Sequence, residues 1–161
     1  MCKRISSGAV ERDDLGALFA RVTRRLVAEE RPLLHARGLT MWQYVALSHL
    51  GRGPAGSQLA MAEAIGYDKT RLIALLESLE EAGLVAREPD PADRRARVVR
   101  LTRAGRGRLA AARRDIRRME ERVLGALTAD ERETLLAVLP RLGHTDGVPS
   151  VTGVTDDDTG G

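Results

Sequence analysis

The chain has 161 residues, enough for one domain with a real core, because 43% of them are hydrophobic. Aromatic residues are only 2% of the chain (Phe19, Trp42, Tyr44 and Tyr67), which argues against an aromatic-rich sugar site or a single-strand stacking platform. Net charge is +3, but from Leu84 to Arg118 there are 12 Arg against 4 acids, a density that points to a polyanionic partner. No apolar run is long enough for a bilayer span. The start Met1-Cys2-Lys3-Arg4-Ile5 lacks the apolar stretch of a secretory signal, so a cytoplasmic protein is expected. A lone Cys2 excludes an intrachain disulfide or a multi-cysteine zinc site.

In chain order, residues 1–12 read as a flexible arm. Leu15, Leu18, Phe19, Val22 and Leu26 recur at helical spacing and predict a first helix from about Asp13 to about Ala36. Pro32 is expected to kink that helix or end it early, and Gly38 to stop it. Thr40 with Gln43 forms a capping box for a second helix ending near Leu50. A loop from Gly51 to Gly56 leads to a short third helix, about Ser57 to Ile65, closed by Gly66. Asp68 reads as the N-cap of a fourth helix, about Lys69 to Ala82. Its inward stripe is Leu72, Leu75, Leu76 and Leu79. Thr70, Ala74, Glu77 and Glu81 face outward, with Arg71 on the flank.

After Gly83, Leu84–Arg87 and Arg97–Thr102 read as two strands around a proline- and aspartate-rich turn, a hairpin with a charged tip. A fifth helix runs from about Ala104 to Gly125. Leu109, Ala112, Ile116, Met119, Val123 and Ala126 give it heptad spacing, suited to helix-on-helix packing and dimerisation. Thr128 to Glu131 is a second capping box. It opens a last helix with Leu135, Leu136, Leu139 and Leu142 inward. Residues 143–161, with 4 Asp and no Lys or Arg, read as a disordered acidic tail.

This order describes a mainly α chain with a small β-hairpin wing (α+β), a winged helix-turn-helix over about 40–102. It is flanked by dimerisation helices over about 13–36 and 103–142. One helix of such a fold can enter a DNA major groove and read base edges. The hairpin beside it can set arginine at the neighbouring minor groove, where negative potential concentrates. A dimer doubles the half-sites, so the expected target is an inverted repeat.

Three stretches make the resemblance specific: Leu79-Glu80-Glu81-Ala82-Gly83-Leu84-Val85-Ala86-Arg87, Asp90-Pro91-Ala92-Asp93-Arg94-Arg95, and Leu101-Thr102-Arg103-Ala104-Gly105. Together with Leu39-Thr40, Gln43-Tyr44 and Leu47 they resemble the MarR (multiple antibiotic resistance regulator) family, over roughly Asp13 to Leu142. The resemblance implies a homodimeric winged-helix regulator, mostly a repressor, in a family where many members release DNA on binding small anionic aromatics or on thiol oxidation. The family commonly has small hydroxyl residues early in the recognition helix. Here the run is Tyr67-Asp68-Lys69-Thr70-Arg71-Leu72, which leaves the base sequence read open.

The candidate DNA-binding residues are Lys69, Thr70 and Arg71 at the start of the recognition helix and Arg94, Arg95 and Arg97 in the wing. A helix N-terminus favours phosphate, and arginine can pair with guanine. Asp93 is expected to orient a neighbouring arginine through a bidentate pair. Arg100 is a further candidate for backbone phosphate. The arginines from Arg103 to Arg118 read mainly as a solvated face, partly paired with Glu120 and Glu121. Phe19, Trp42, Tyr44 and His35 are candidates to line a pocket for a small aromatic effector, with core packing as the plainer role for the three aromatics. Cys2 reads as an inert thiol, with a redox sensor beside Lys3 and Arg4 as the alternative, and His35, His49 and His144 are too scattered for a metal motif. No cofactor is expected. Gly51-Arg52-Gly53-Pro54-Ala55-Gly56 matches a dinucleotide-loop pattern by letter, but it follows a helix rather than a strand and so reads as an ordinary loop. An enzyme finds no support in these residues. The alternative to DNA binding is a winged-helix protein–protein interaction module, for which an arginine pair at the wing tip would be unnecessary.

Overall fold

A computed structural model describes residues 14–53, 57–90 and 97–143. Asp14 opens the first helix by accepting a hydrogen bond from the Ala17 N–H at 2.7 Å. This helix, α1, spans Leu15–His35, close to the expected bounds, and runs through Pro32 without ending there. Proline costs one backbone hydrogen bond inside a helix. The packing of Leu26, Leu33 and Leu34 into the core outweighs that loss.

Helix α2 (Met41–Leu50) starts at the predicted capping box: Thr40 Oγ1 accepts from the Gln43 N–H at 3.2 Å, and Gln43 Oε1 accepts from the Thr40 N–H at 2.9 Å. Helix α3 is Gln58–Ile65 and α4 is Lys69–Glu81. Strands β1 (Val85–Pro89) and β2 (Arg97–Leu101) form an antiparallel hairpin with Val85 opposite Leu101 and Pro89 opposite Arg97. The strand thus starts one residue later than expected and includes Pro89, at the end of the ladder where a missing N–H does least harm. Thr102 is not a strand residue. Its side chain caps α5 (Arg103–Val123), accepting from the Gly105 N–H at 3.0 Å. A 3-10 turn over Leu124–Ala126 follows, and α6 is Ala129–Gly143. Glu131 Oε2 accepts from the Thr128 N–H at 2.8 Å, and Thr128 Oγ1 accepts from the Glu131 N–H at 3.3 Å, so the second capping box forms as predicted.

One core joins the elements from α1 to α5. Leu34, Leu39, Leu47, Met61, Leu72, Leu76, Leu79 and Met119 are almost fully buried, each worth about 1.5–3 kcal/mol as removed apolar surface. The heptad stripe of α5 (Leu109, Ala112, Ile116 and Met119) is spent inside the chain itself, packing with α1 and α2, rather than being kept for a second copy. Ala126 falls in the 3-10 turn and is exposed, so the stripe ends at Val123. Of the leucines expected to face inward from the last helix, only Leu139 is half-buried. Leu135, Leu136 and Leu142 are exposed, as are Leu15, Leu18, Phe19 and Val22 on α1. Periodicity identifies an apolar face but not what covers it.

Candidate nucleic-acid interface

The turn between α3 and α4 is three residues long. Gly66 adopts a left-handed conformation (φ 66°), which a side chain would disfavour, and the Tyr67 N–H then donates to the Ala62 carbonyl at 2.9 Å. Asp68 has extended backbone, and its carboxylate accepts from the Arg71 N–H at 2.9 Å. The first turn of α4 is fixed at its head by this cap and along its inner face by Leu72, Leu76 and Leu79. Lys69, Thr70 and Arg71 are all exposed on it. They sit at the positive end of the helix dipole, where an anion gains most.

Helix α2 braces this arrangement from behind. Trp42 lies against Tyr67 with ring centroids 4.2 Å apart and planes 34° apart. Gln43 Nε2 donates to Ser78 Oγ at 3.2 Å, and Ser78 Oγ donates to the Leu75 carbonyl at 2.8 Å. Gln43 therefore caps α2 and ties it to α4 with one side chain. Both contacts bridge residues 25 or more positions apart in sequence, so nothing local announces them.

The hairpin stands beside α4. Arg87 reaches Glu80 of α4 at 3.4 Å, and Arg100 pairs with Glu88 across the strands at 3.4 Å. Arg97 is exposed, with its guanidinium 3.5 Å from the Arg87 carbonyl. Asp93, Arg94 and Arg95, the predicted tip, lie outside the described residues, as do Cys2, His144 and the acidic stretch.

Where the wing meets α5 the packing is tight. Thr102 Oγ1 donates to the Gly83 carbonyl at 2.7 Å, and the Thr102 N–H donates to the Leu84 carbonyl at 3.1 Å. Gly105 then passes so close that a Cβ there would stand 1.9 Å from the Leu84 carbonyl oxygen.

The arginines of α5 are less uniform than a solvated face. Arg108 donates to the Arg37 carbonyl, while Arg37 itself holds Asp115 at 2.6 Å. That hydrogen bond, with added attraction from Arg118 and Arg114, keeps the Asp115 carboxyl below its ordinary value. Among the described residues the expected pairing of these arginines with Glu120 and Glu121 is not found; the charge of Glu120, after burial itself, pushes the half-buried Glu30 of α1 upward. Five α5 arginines, Arg114 among them, line one wall of an open cleft of about 1010 Å³, with Arg52 from the loop after α2 and Arg100 from β2 on the rest.

The four effector candidates are spread out. His35 is exposed at the end of α1, and Phe19, also exposed, lies 16 residues earlier, about 24 Å along the helix. Trp42 is engaged with Tyr67, and Tyr44 packs against the core. Among the described residues no group of three or more His, Cys, Asp and Glu could hold a metal ion, and no helix is long and apolar enough to cross a membrane.

The pattern of the MarR family matches residues 37–96, which takes in α2 to the wing. The fold is similar to that of the MarR family protein Rv2887 of Mycobacterium tuberculosis in complex with DNA, at 30% identity and a TM-score of 0.72, over 83% of this chain and 100% of that one. The same protein in complex with salicylic acid gives 31% identity and 0.70, over 83% and 98%. CouR of Rhodococcus jostii RHA1 bound to p-coumaroyl-CoA gives 26% and 0.71, over 84% and 96%. With its helix–turn–helix, its wing and a likeness that covers 83% of its length, the chain belongs to the MarR family of transcription regulators.

Proposed function

We propose that the chain is a homodimeric, cytoplasmic repressor that binds an inverted-repeat operator and is released by a small aromatic ligand. The observation that carries DNA docking is the exposed first turn of α4, with Lys69, Thr70 and Arg71 held rigidly on a buried leucine base beside the hairpin. In this reading α4 enters the major groove, where Arg71 reaches a base edge and Lys69 and Thr70 reach phosphate. Arg94, Arg95 and Arg97 reach the minor groove or backbone alongside, with Asp93 orienting one of them. The unit that docks is the single domain of residues 13–142.

A second copy supplies the other half-site. The exposed apolar rows of α1 (Leu15, Leu18, Phe19 and Val22) and α6 (Leu135, Leu136, Val138 and Leu142) support pairing through the two ends of the chain. The complexes of Rv2887 with salicylic acid and of CouR with p-coumaroyl-CoA support an aromatic effector. About 24 Å separates Phe19 from His35 along α1. Phe19 therefore joins Trp42, Tyr44 and His35 in one small pocket only if it comes from the second protomer. The effector must bind the released spacing of the two winged parts better than the docked one, or no release follows.

Fluorescence anisotropy on DNA from the upstream region of its own gene, beside a scrambled duplex of equal length and at several salt concentrations, tests the reading. Preferential binding with a steep salt slope is expected. Arg71→Gln should reduce the preference, and Lys69→Ala should lower the salt slope by about one while sparing preference. Equal, weak binding of both duplexes, unchanged in both variants, would remove the docking scheme.

A further inference from the structure

The cleft between the end of α2 and α5 plays no part in the docking described above, yet its chemistry is one-sided. Among the described residues, seven arginines line it against a single acidic residue, Glu88. Only Arg100, among the described residues, meets the Glu88 carboxylate, at 3.4 Å. Arg106 and Arg113 instead donate to main-chain carbonyls, of Leu101 at 2.8 Å and Ser48 at 3.3 Å. A neutral carbonyl partner holds a guanidinium in place without cancelling its charge. Arg113 also offsets the negative end of α2, while Thr102 and Arg103 bring the positive end of the 21-residue α5 to the cleft. Leu50, Leu101, Leu109 and Ala110 supply an apolar lining between the charges.

The wing separates this cleft from the recognition helix. Glu88 opposes Val98 and Arg100 opposes Ala86, so these two lining residues share one face of the hairpin. Arg87, which reaches Glu80 of α4, alternates onto the other face. A ligand in the cleft therefore sits behind the wing as seen from α4 and bridges α2, β2 and α5.

We propose that this cleft binds a small phosphate-bearing polyanion. Several phosphate oxygens can take bidentate hydrogen bonds from the fork of each guanidinium, which a single carboxylate cannot satisfy. The apolar patches suit a polyphosphate carrying an organic group. The site stands independently of operator binding.

The test is calorimetric titration of the full chain with inorganic tripolyphosphate, with sodium sulfate at matched ionic strength as control. The expected result is saturable binding of tripolyphosphate, one per protomer, and none of sulfate. Arg103→Gln with Arg114→Gln should weaken it at least about tenfold, since each removes a hydrogen bond to a charged group. Arg52→Gln, an exposed change on a separate loop, should weaken it independently, and Glu88→Gln should tighten it. Arg71→Gln should leave it unchanged. Sulfate heats equal to those of tripolyphosphate, or equal losses in Arg71→Gln, would overturn the site as a general counterion effect. Cleft variants that lose duplex affinity as strongly as Lys69→Ala does would overturn it by making the cleft a DNA-backbone surface. Tripolyphosphate binding in a chain that binds no duplex would leave the cleft standing and remove the operator reading alone.

Discussion

Replacing Gly105 by alanine is expected to destabilise the fold, whereas the same replacement at Gly107, two residues along the same helix, is expected to stabilise it. In a helix, glycine costs about 0.5–1 kcal/mol relative to alanine, so propensity favours both changes equally. The surroundings decide the sign. A Cβ at Gly107 meets nothing within 4 Å, while at Gly105 it stands 1.9 Å from the Leu84 oxygen and 2.9 Å from its carbonyl carbon. To regain ordinary contact the backbone must retreat by roughly 1.5 Å. That carbonyl also accepts the Thr102 N–H at 3.1 Å, so the retreat costs a hydrogen bond of about 1 kcal/mol as well. Overpacking adds about 1–3 kcal/mol, which leaves Gly105→Ala about 1–3 kcal/mol less stable. At about 2–4 °C per kcal/mol for a chain of this length, thermal unfolding should fall by about 2–12 °C in Gly105→Ala and rise by about 1–4 °C in Gly107→Ala. Protein concentration must be equal throughout, because association also raises the midpoint. A Gly105→Ala protein melting at or above the parent would refute the argument.

Three further outcomes follow from the same geometry. Glu30, half-buried opposite Glu120, has a raised pKa in the folded state, so the fold loses stability as pH rises from the ordinary carboxylate range through the raised value. Urea melts of Glu30→Gln should match the parent in acid and show the variant more stable at neutral pH; parallel profiles would count against the pair. Asp115 is held low by Arg37, so it contributes stability above its ordinary value that is lost as pH falls through its depressed one. Arg37→Met should move the Asp115 carboxyl titration upward by NMR and flatten the acid limb of stability, and an unmoved titration would show that the ion pair at 2.6 Å does not persist in solution. Val22→Glu with Leu136→Glu should halve the molar mass seen by light scattering if the exposed rows of α1 and α6 pair two copies. A parent already monomeric would remove that pairing.

Local chemistry was the most legible part of the sequence. Asp68, Thr40 and Thr128 each cap a helix because the side chain and the N–H it serves are three residues apart, within reach of a sequence pattern. The leucine stripe of α4 was equally clear, since Leu72, Leu76 and Leu79 have one core to face. The stripes of α1, α5 and α6 were not, because spacing marks an apolar face without naming its cover. In α5 the cover is the chain's own α1 and α2, and in α6 Leu135, Leu136 and Leu142 stay exposed. Trp42 and Tyr67, read separately from the sequence, turn out to be one contact behind the recognition helix. The cleft was invisible for the same reason: Arg52 and Arg113 are distant in sequence and meet only through the packing of α2 on α5. Gly105 stood in a recognisable motif, but its purpose appears only beside the Leu84 carbonyl.

Thr102 sets how motion travels in this molecule. Its hydroxyl and N–H fasten the base of the hairpin to the start of α5, and Gly105 removes the gap between them. The wing and α5 therefore form a crank without a bearing at their junction. A tilt of about 5° pivoting at the far end of this 21-residue helix carries the wing base through about 3 Å. Groove contacts tolerate far less misplacement than that. In the homodimer proposed above, small changes where the two copies meet would thus be geared up, through a single threonine, into large ones where the wing points.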